Sequence, residues 1–178
     1  MSDPTPQLHM THKLRDLPGL TAPAGYDVRS LRASDLDGWT SLLARNGELG
    51  EWSVDRAAAL FAPGSVMPLS GAFVATAADV PVATAQLHLH GGDDPYAPTP
   101  ELGWVAVVPE HRGHRLGYLV CLAVLRHAHQ NGFRSIFLRT DDYRVPAIRT
   151  YLQLGFEPWL YDDSAGERWN SVLNLVST

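Results

Sequence analysis

The sequence predicts a single α/β domain built on a mixed sheet, and three observations carry that expectation. Strand-like and helix-like segments follow one another in the order β, α, α, β, β, β, α, β, α, β, β. Near the middle, a buried apolar strand breaks at Val107–Val108–Pro109 into a basic, glycine-punctuated turn that leads into a long apolar helix. At 178 residues the chain can bury a substantial core, yet it is short for two ordinary domains.

Taken in order, residues 1–25 are polar and interrupted by Pro4, Pro6, Pro18 and Pro23. They are expected to form an N-terminal arm packed on the surface of a domain that spans residues 26–178. Tyr26 to Leu31 alternates as a first strand. Ser34 with Asp35 and Asp37 marks the start of a helix running to about Arg45, and Ser53 with Asp55 caps a shorter one ending near Phe61. Gly71–Ala77 and Val80–His90 read as a hairpin turning at Ala78–Asp79, and Gly91–Pro100 as a Gly/Asp/Pro loop. Glu101–Val108 is a strand apolar enough to be buried on both faces, with Gly103 pointing to a bulge. The helix from Leu116 to about Asn131 carries Leu116, Leu119, Val120, Ala123, Val124 and His127 on one stripe and stops at Gly132. Ser135–Thr140 is the next strand, Pro146 opens the helix that bears Tyr151, and strands at Glu157–Tyr161 and Ser171–Leu175 close the sheet.

Charge and composition narrow the partners. A net charge of −5 leaves no broad cationic surface for nucleic acid or an anionic membrane. The first residues lack the apolar core of a signal peptide, and no apolar run approaches the ~18 residues of a spanning helix, so a cytoplasmic location is expected. The single cysteine, Cys121, lies within Leu-Val-Cys-Leu-Ala-Val-Leu with no cationic neighbour in sequence, as befits a small buried side chain.

The basic turn has the makings of an anion cradle. Ending a strand at Pro109 and starting a helix near Leu116 leaves backbone N–H groups at the helix N-terminus without partners, and Gly113 and Gly117 let the backbone approach a phosphate closely. Neither a P-loop nor a Gly-x-Gly-x-x-Gly turn after a first strand is present.

Arg112-Gly113-His114-Arg115-Leu116-Gly117 resembles the (Gln/Arg)-x-x-Gly-x-(Gly/Ala) pyrophosphate loop of the GNAT (GCN5-related) N-acetyltransferase superfamily, with Arg112 leading and Gly117 last. Arg115 stands at the middle glycine, so either that position does not need a positive φ or the loop is built differently. Ala147, Tyr151, Gly155 and Phe156 similarly match Asn-x-x-Ala-x-x-x-Tyr-x-x-x-Gly-Phe, with Arg144 in place of the asparagine. The resemblance covers about a third of the chain. It implies a three-layer fold whose mixed, mostly antiparallel central sheet splays into an acyl-CoA cleft, and a transfer of acetyl from acetyl-CoA to a primary amine by direct attack, without a metal.

Site residues follow from the same resemblance. Coenzyme binding would fall to the backbone of Val105, Ala106 and Val107, to the loop residues Arg112, Gly113, His114, Arg115, Leu116, Gly117 and Tyr118, and to Ala147 and Tyr151. Tyr151 would donate to the leaving thiolate. A phenol near pKa ~10 and a thiol near ~8.5 make full proton transfer uphill by about 2 kcal/mol, which suits a hydrogen-bond donor. Glu101 at the strand start is the candidate base acting through water, or else a solvated strand-end carboxylate. His88 and His90 share one strand face, either towards the cleft, where they could touch acceptor or accept a proton, or as a polar outer face; a zinc pair lacks a third ligand of fixed spacing, with only Asp93 and Asp94 nearby. Trp52, Asp55, Trp104 and Trp159 are further candidates for the acceptor site. Two rival readings are a catalytically silent acyl-CoA- or partner-binding module and a protein or peptide N-acetyltransferase. Pairing of Ser171–Leu175 with a neighbour would make a homodimer.

Overall fold

The computed structural model describes residues 6–176. Strands β1 (Leu8–Lys13), β2 (Asp27–Ser30), β3 (Ala72–Ala77), β4 (Val80–His88), β5 (Glu101–Val107), β6 (Ser135–Thr140) and β7 (Glu157–Trp159) join helices α1 (Leu36–Asn46), α2 (Val54–Leu60), α3 (Leu116–Gln130), α4 (Val145–Gln153) and α5 (Ala165–Val176). All seven strands form one sheet in the order β2-β3-β4-β5-β6-β1-β7. Every pairing is antiparallel except β5 with β6.

Helices cover both faces. Trp39 of α1 donates its indole N–H to Thr84 Oγ1 at 3.1 Å. Thr84 is paired with Val74, whereas the adjacent Phe73 turns the other way and meets His127 of α3. The core is the sandwich of these layers. Leu116, Val120, Cys121, Leu122, Val124 and Leu125 of α3 are buried against the sheet on one side, and Trp39, Leu42 and Leu43 of α1 on the other. The β3–β4 hairpin turns at Ala78 and Asp79, both left-handed at φ 47° and 63°, the geometry that a two-residue hairpin requires. Ser53 caps α2 by accepting from the Arg56 N–H.

Two expectations are overturned. The segment assigned to a surface arm contains β1, which lies inside the sheet between β6 and β7 and runs in full antiparallel register with β6 from Leu8–Thr140 to Lys13–Ser135. Leu8 and Met10 are fully buried; alternation puts both on one core face, and two apolar residues there outweigh the polar remainder of the strand. The first five residues of that segment lie outside the described part. The closing strand at Ser171–Leu175 is instead helix α5, whose Ala165, Trp169 and Val172 recur at helical spacing on the buried side. The dimer argument based on that strand therefore falls.

Candidate functional site

The cleft originates in β5. Its register with β4 shifts between Thr84 and Gln86, so that two steps on β4 face three on β5, from Gly103 to Ala106. This is the bulge anticipated at Gly103, but the left-handed residue is its neighbour Trp104, at φ 55°. Trp104 is anchored by the rings of Trp39 and Trp52, with centroids 6.0 and 5.0 Å away. Bulging bends the strand. β5 and β6 accordingly meet at a single pair, Glu101 with Phe137, with the Phe137 N–H donating to the Pro100 carbonyl at 3.1 Å. Past that point the two strands part.

A cavity of about 530 Å³ occupies the gap. Val105, Ala106 and Val107 form one wall with no β6 partner, although Asn46 Nδ2 donates to the Val107 carbonyl at 3.2 Å. The N-terminus of α3 forms a second wall. Its first helical bond is donated by Leu119 to the Arg115 carbonyl, which leaves the N–H groups of Leu116, Gly117 and Tyr118 without a partner among the described residues at the cavity, as an anion site requires. Gly117 leaves this wall open, although a Cβ there would only reach ordinary contact with Val107 Cγ2, at 3.5 Å.

Arg115 resolves the question of the missing glycine. It adopts φ 59° and ψ 18°, left-handed as a glycine would be, so the loop keeps its shape with an arginine in that place. Its guanidinium lies over the Tyr118 ring at 4.6 Å. Of the eleven other coenzyme candidates, ten line the cavity: Val105, Ala106, Val107, Arg112, Gly113, Leu116, Gly117, Tyr118, Ala147 and Tyr151. His114 does not; its exposed ring packs on Tyr26, 5.3 Å between centroids. His111 lines the cavity in its stead, fixed by a 2.9 Å hydrogen bond between Nδ1 and the Tyr26 hydroxyl.

The third wall is α4. Tyr151 is 7% exposed, yet its hydroxyl makes no hydrogen bond to any described group and lies at the cavity surface. Burial pushes this phenol far above its ordinary range, and the adjacent Cys121 adds to the effect. Cys121 is itself wholly buried with its thiol pushed up, which fits the small core side chain expected of it. Arg144, in the asparagine's place, also lines the cavity. It reaches across to Glu48, just beyond α1, at 3.1 Å and donates from Nε to Asp141 at 2.9 Å.

Glu101 lies at the other end of β5, four residues from Val105 and outside this cavity. It is not a solvated strand-end carboxylate. At 7% exposure it accepts two hydrogen bonds from Arg139, Nε to Oε1 at 2.9 Å and Nη2 to Oε2 at 2.8 Å. His90 Nε2 lies 3.0 Å from Oε2, and His90 Nδ1 is 2.9 Å from Asp94 Oδ2. His88 stacks on His90 with centroids 4.7 Å apart, so both imidazoles share a face as expected; His88 ends β4, a strand inside the sheet and not at an edge, and His90 lies just past it. Burial, then the neighbouring His90, holds the His88 imidazole below its ordinary range. His88, His90 and Glu101 bring ligand atoms within 4.8 Å of one another. The third donor thus comes across the sheet, where spacing along the chain could not reveal it, and its charge is already balanced by Arg139. Trp52 packs under Arg56 and against Trp104, and Trp159 joins a second aromatic group with His9, Tyr96 and Phe137. Asp55 stays exposed on α2, apart from both groups.

A splayed mixed sheet, a helix N-terminus opening on the gap and a free phenol within it define the acyl-CoA-type cleft of an acyltransferase fold. The chain belongs to the GNAT acetyltransferase family: that family's model matches residues 36–156. It is 30% identical over 160 residues to a mycothiol acetyltransferase of Thermobispora bispora and 31% identical over 156 residues to one of Nocardia farcinica, matches that cover 82% and 80% of this chain. The chain spans about half the length of these relatives, 51% and 48%. Among solved structures, a GCN5-related N-acetyltransferase from Sphaerobacter thermophilus superimposes with a TM-score of 0.69 at 17% identity, over 87% of this chain and 50% of that one. The yncA protein of Salmonella typhimurium, solved with its cofactor acetyl-CoA, gives 0.64 at 18% identity, over 75% of this chain and 80% of that one. These two likenesses bear on the fold.

Proposed function

We propose that the chain moves an acetyl group from acetyl-CoA to a primary amine of a small molecule, by direct attack of the amine on the thioester. One observation carries the reading. The unpaired edge of β5, the free N–H groups of α3 and the unbonded Tyr151 hydroxyl all open on the same cavity. The N–H groups of Leu116 to Tyr118, with Arg112 and Arg115 as flanking charges, would take the pyrophosphate. Val105 to Val107 would align the pantetheine arm as an added strand aligns, and Tyr151 would face the sulfur. The names of the relatives and the acetyl-CoA bound by a fold neighbour support this assignment.

In the reaction the amine nitrogen attacks the thioester carbon, the C–S bond breaks with its electron pair going to sulfur, and one proton leaves the nitrogen. Glu101 is the candidate sink for that proton. Four strand residues, about 13 Å, separate it from Val105, so a water chain would have to connect them. An amine of lysine-like pKa spends about 4 to 5 kcal/mol to reach its neutral form at pH 7, which is what a base at the end of such a chain offsets. The acceptor would enter from the side of α1 and α2, between the Trp39–Trp52–Trp104 group and the His88–His90–Glu101 cluster. We place the protein in the cytoplasm. The test is thiol release from acetyl-CoA across amino sugars, polyamines, amino acids and peptides. A small amine should give turnover that Tyr151→Phe and Glu101→Gln each reduce by about 10²-fold or more. Turnover untouched by both would remove the catalytic assignments, and a response to peptides alone would favour a protein-modifying enzyme.

A further inference from the structure

We infer that Arg144 is a catalytic residue of this chain, and that its guanidinium holds the coenzyme's sulfur as a thiolate when the C–S bond breaks. The inference rests on the coenzyme reading above. Arg144 is the N-cap of α4 and Tyr151 lies seven residues on, two turns along the same face. Long helical side chains lean towards the N-terminus, so the phenol tip points back along α4 to the end where the guanidinium stands. Both side chains line the cavity that would hold the thioester.

Charge makes the arginine necessary. Burial raises the pKa of the Tyr151 phenol, which suits it to donate a hydrogen bond, and Arg144 opposes that rise, so its charge is felt at the hydroxyl. A sulfur leaving with its electron pair in that walled gap calls for a cation, and Arg144 supplies it without a proton transfer. The guanidinium has the capacity to do so. Nε serves Asp141, Nη1 faces Glu48 and the Tyr143 hydroxyl is a further partner, all of them on partly or largely exposed side chains, so a guanidinium N–H can be exchanged to a ligand. Glu48 is half exposed, a tether of the kind that is weak in water and easily exchanged. The other charged or titratable groups that line or adjoin the cavity are Tyr143 beside Arg144, Cys121 behind Tyr151, and His111, Arg112, Arg115 and Tyr118 of the loop and helix opposite. In the step itself the C–S bond pair becomes a sulfur lone pair, held by a guanidinium N–H of Arg144 and the Tyr151 O–H. The free thiol forms afterwards by protonation from water.

The test needs no acceptor. CoA is bound to the protein, and its thiol is titrated by the ultraviolet absorption of the thiolate, with the desulfo-CoA complex subtracted to remove tyrosine. In the unaltered protein the bound thiol should titrate about one pH unit below free CoA in the same buffer. Arg144→Gln should return it to the free value or above, Arg144→Lys should restore part of the shift, and Glu48→Gln, which removes a competing carboxylate, should lower it further. A bound thiol at or above the free value in the unaltered protein, or one indifferent to Arg144→Gln in a variant that still binds CoA, would overturn the proposal alone. Failure of the unaltered protein to bind CoA would overturn the coenzyme reading and this inference with it.

Discussion

Arg115→Gly puts the architecture of the loop before α3, and its proposed coenzyme role, to a quantitative test. Arg115 adopts the left-handed conformation, φ 59° and ψ 18°, at the head of α3. That geometry costs an L-residue about 1–2 kcal/mol. Glycine escapes the penalty, yet it loses about 0.5–1 kcal/mol more backbone entropy on folding. It also forfeits the guanidinium lying 4.6 Å over Tyr118, a contact worth about 0.5–1 kcal/mol at an exposed site. The terms cancel to within about 1 kcal/mol, so the melting temperature should move by no more than about 4 °C. Arg115→Val keeps the strain and loses the same contact but escapes the entropy cost of glycine, a net difference of about 1 kcal/mol, so it should melt about 2–4 °C lower than the glycine variant. If the cradle consists of backbone N–H groups, the glycine variant should bind acetyl-CoA within about fivefold of the parent, the worth of one exposed charge. Thermal denaturation followed by circular dichroism and calorimetric titration read the two quantities. A valine variant as stable as the glycine one would refute the left-handed conformation. A loss of affinity beyond about 10²-fold in the glycine variant would show that the side chain, and not the backbone, holds the phosphates.

Three further outcomes are expected. Met10→Ala should destabilise the fold by about 2–5 kcal/mol in chemical denaturation, because Met10 is fully buried in the middle of β1; a surface arm would lose almost nothing. Gly155→Ala should cost about 1–3 kcal/mol, since Gly155, between α4 and β7, sits at φ 93° with His12 Nε2 3.4 Å from the added Cβ, and an unchanged midpoint would argue against that left-handed conformation. Stability should fall on acidification through pH 6.5. Burial lowers the pKa of His9, His12, His88 and His127 in the folded state, so below 6.5 the unfolded chain takes up protons that the folded one refuses. His12→Asn should flatten that slope, and a stability that rises as pH drops would contradict the sign.

The legible parts of the fold were those where one physical signal acted alone. Continuous apolar periodicity gave α3 and β6 within a residue, and Ala78–Asp79 between two alternating runs gave the hairpin turn. β1 escaped because Leu8 and Met10 are the only apolar members of Leu-His-Met-Thr-His-Lys, set among prolines, and its stability comes from neighbours more than a hundred residues away. α5 escaped because Ser171–Leu175 mimics alternation. The wider spacing of Ala165, Trp169, Val172 and Val176 was helical throughout. In the site, the open N-terminus of α3 and the cavity beside it could be read from the loop's composition. The Arg139 clamp on Glu101 and the reach of Arg144 to Glu48 could not, since each joins residues that only the folded sheet brings together.

The central claim is that the splayed strands and the head of α3 form a coenzyme site, and calorimetric titration of the purified protein with acetyl-CoA tests it most directly. Desulfo-CoA and dephospho-CoA serve as controls. The account predicts one site per chain with micromolar affinity, retained by desulfo-CoA because the pyrophosphate and pantetheine contacts survive loss of the sulfur. Absence of binding at millimolar acetyl-CoA would contradict it.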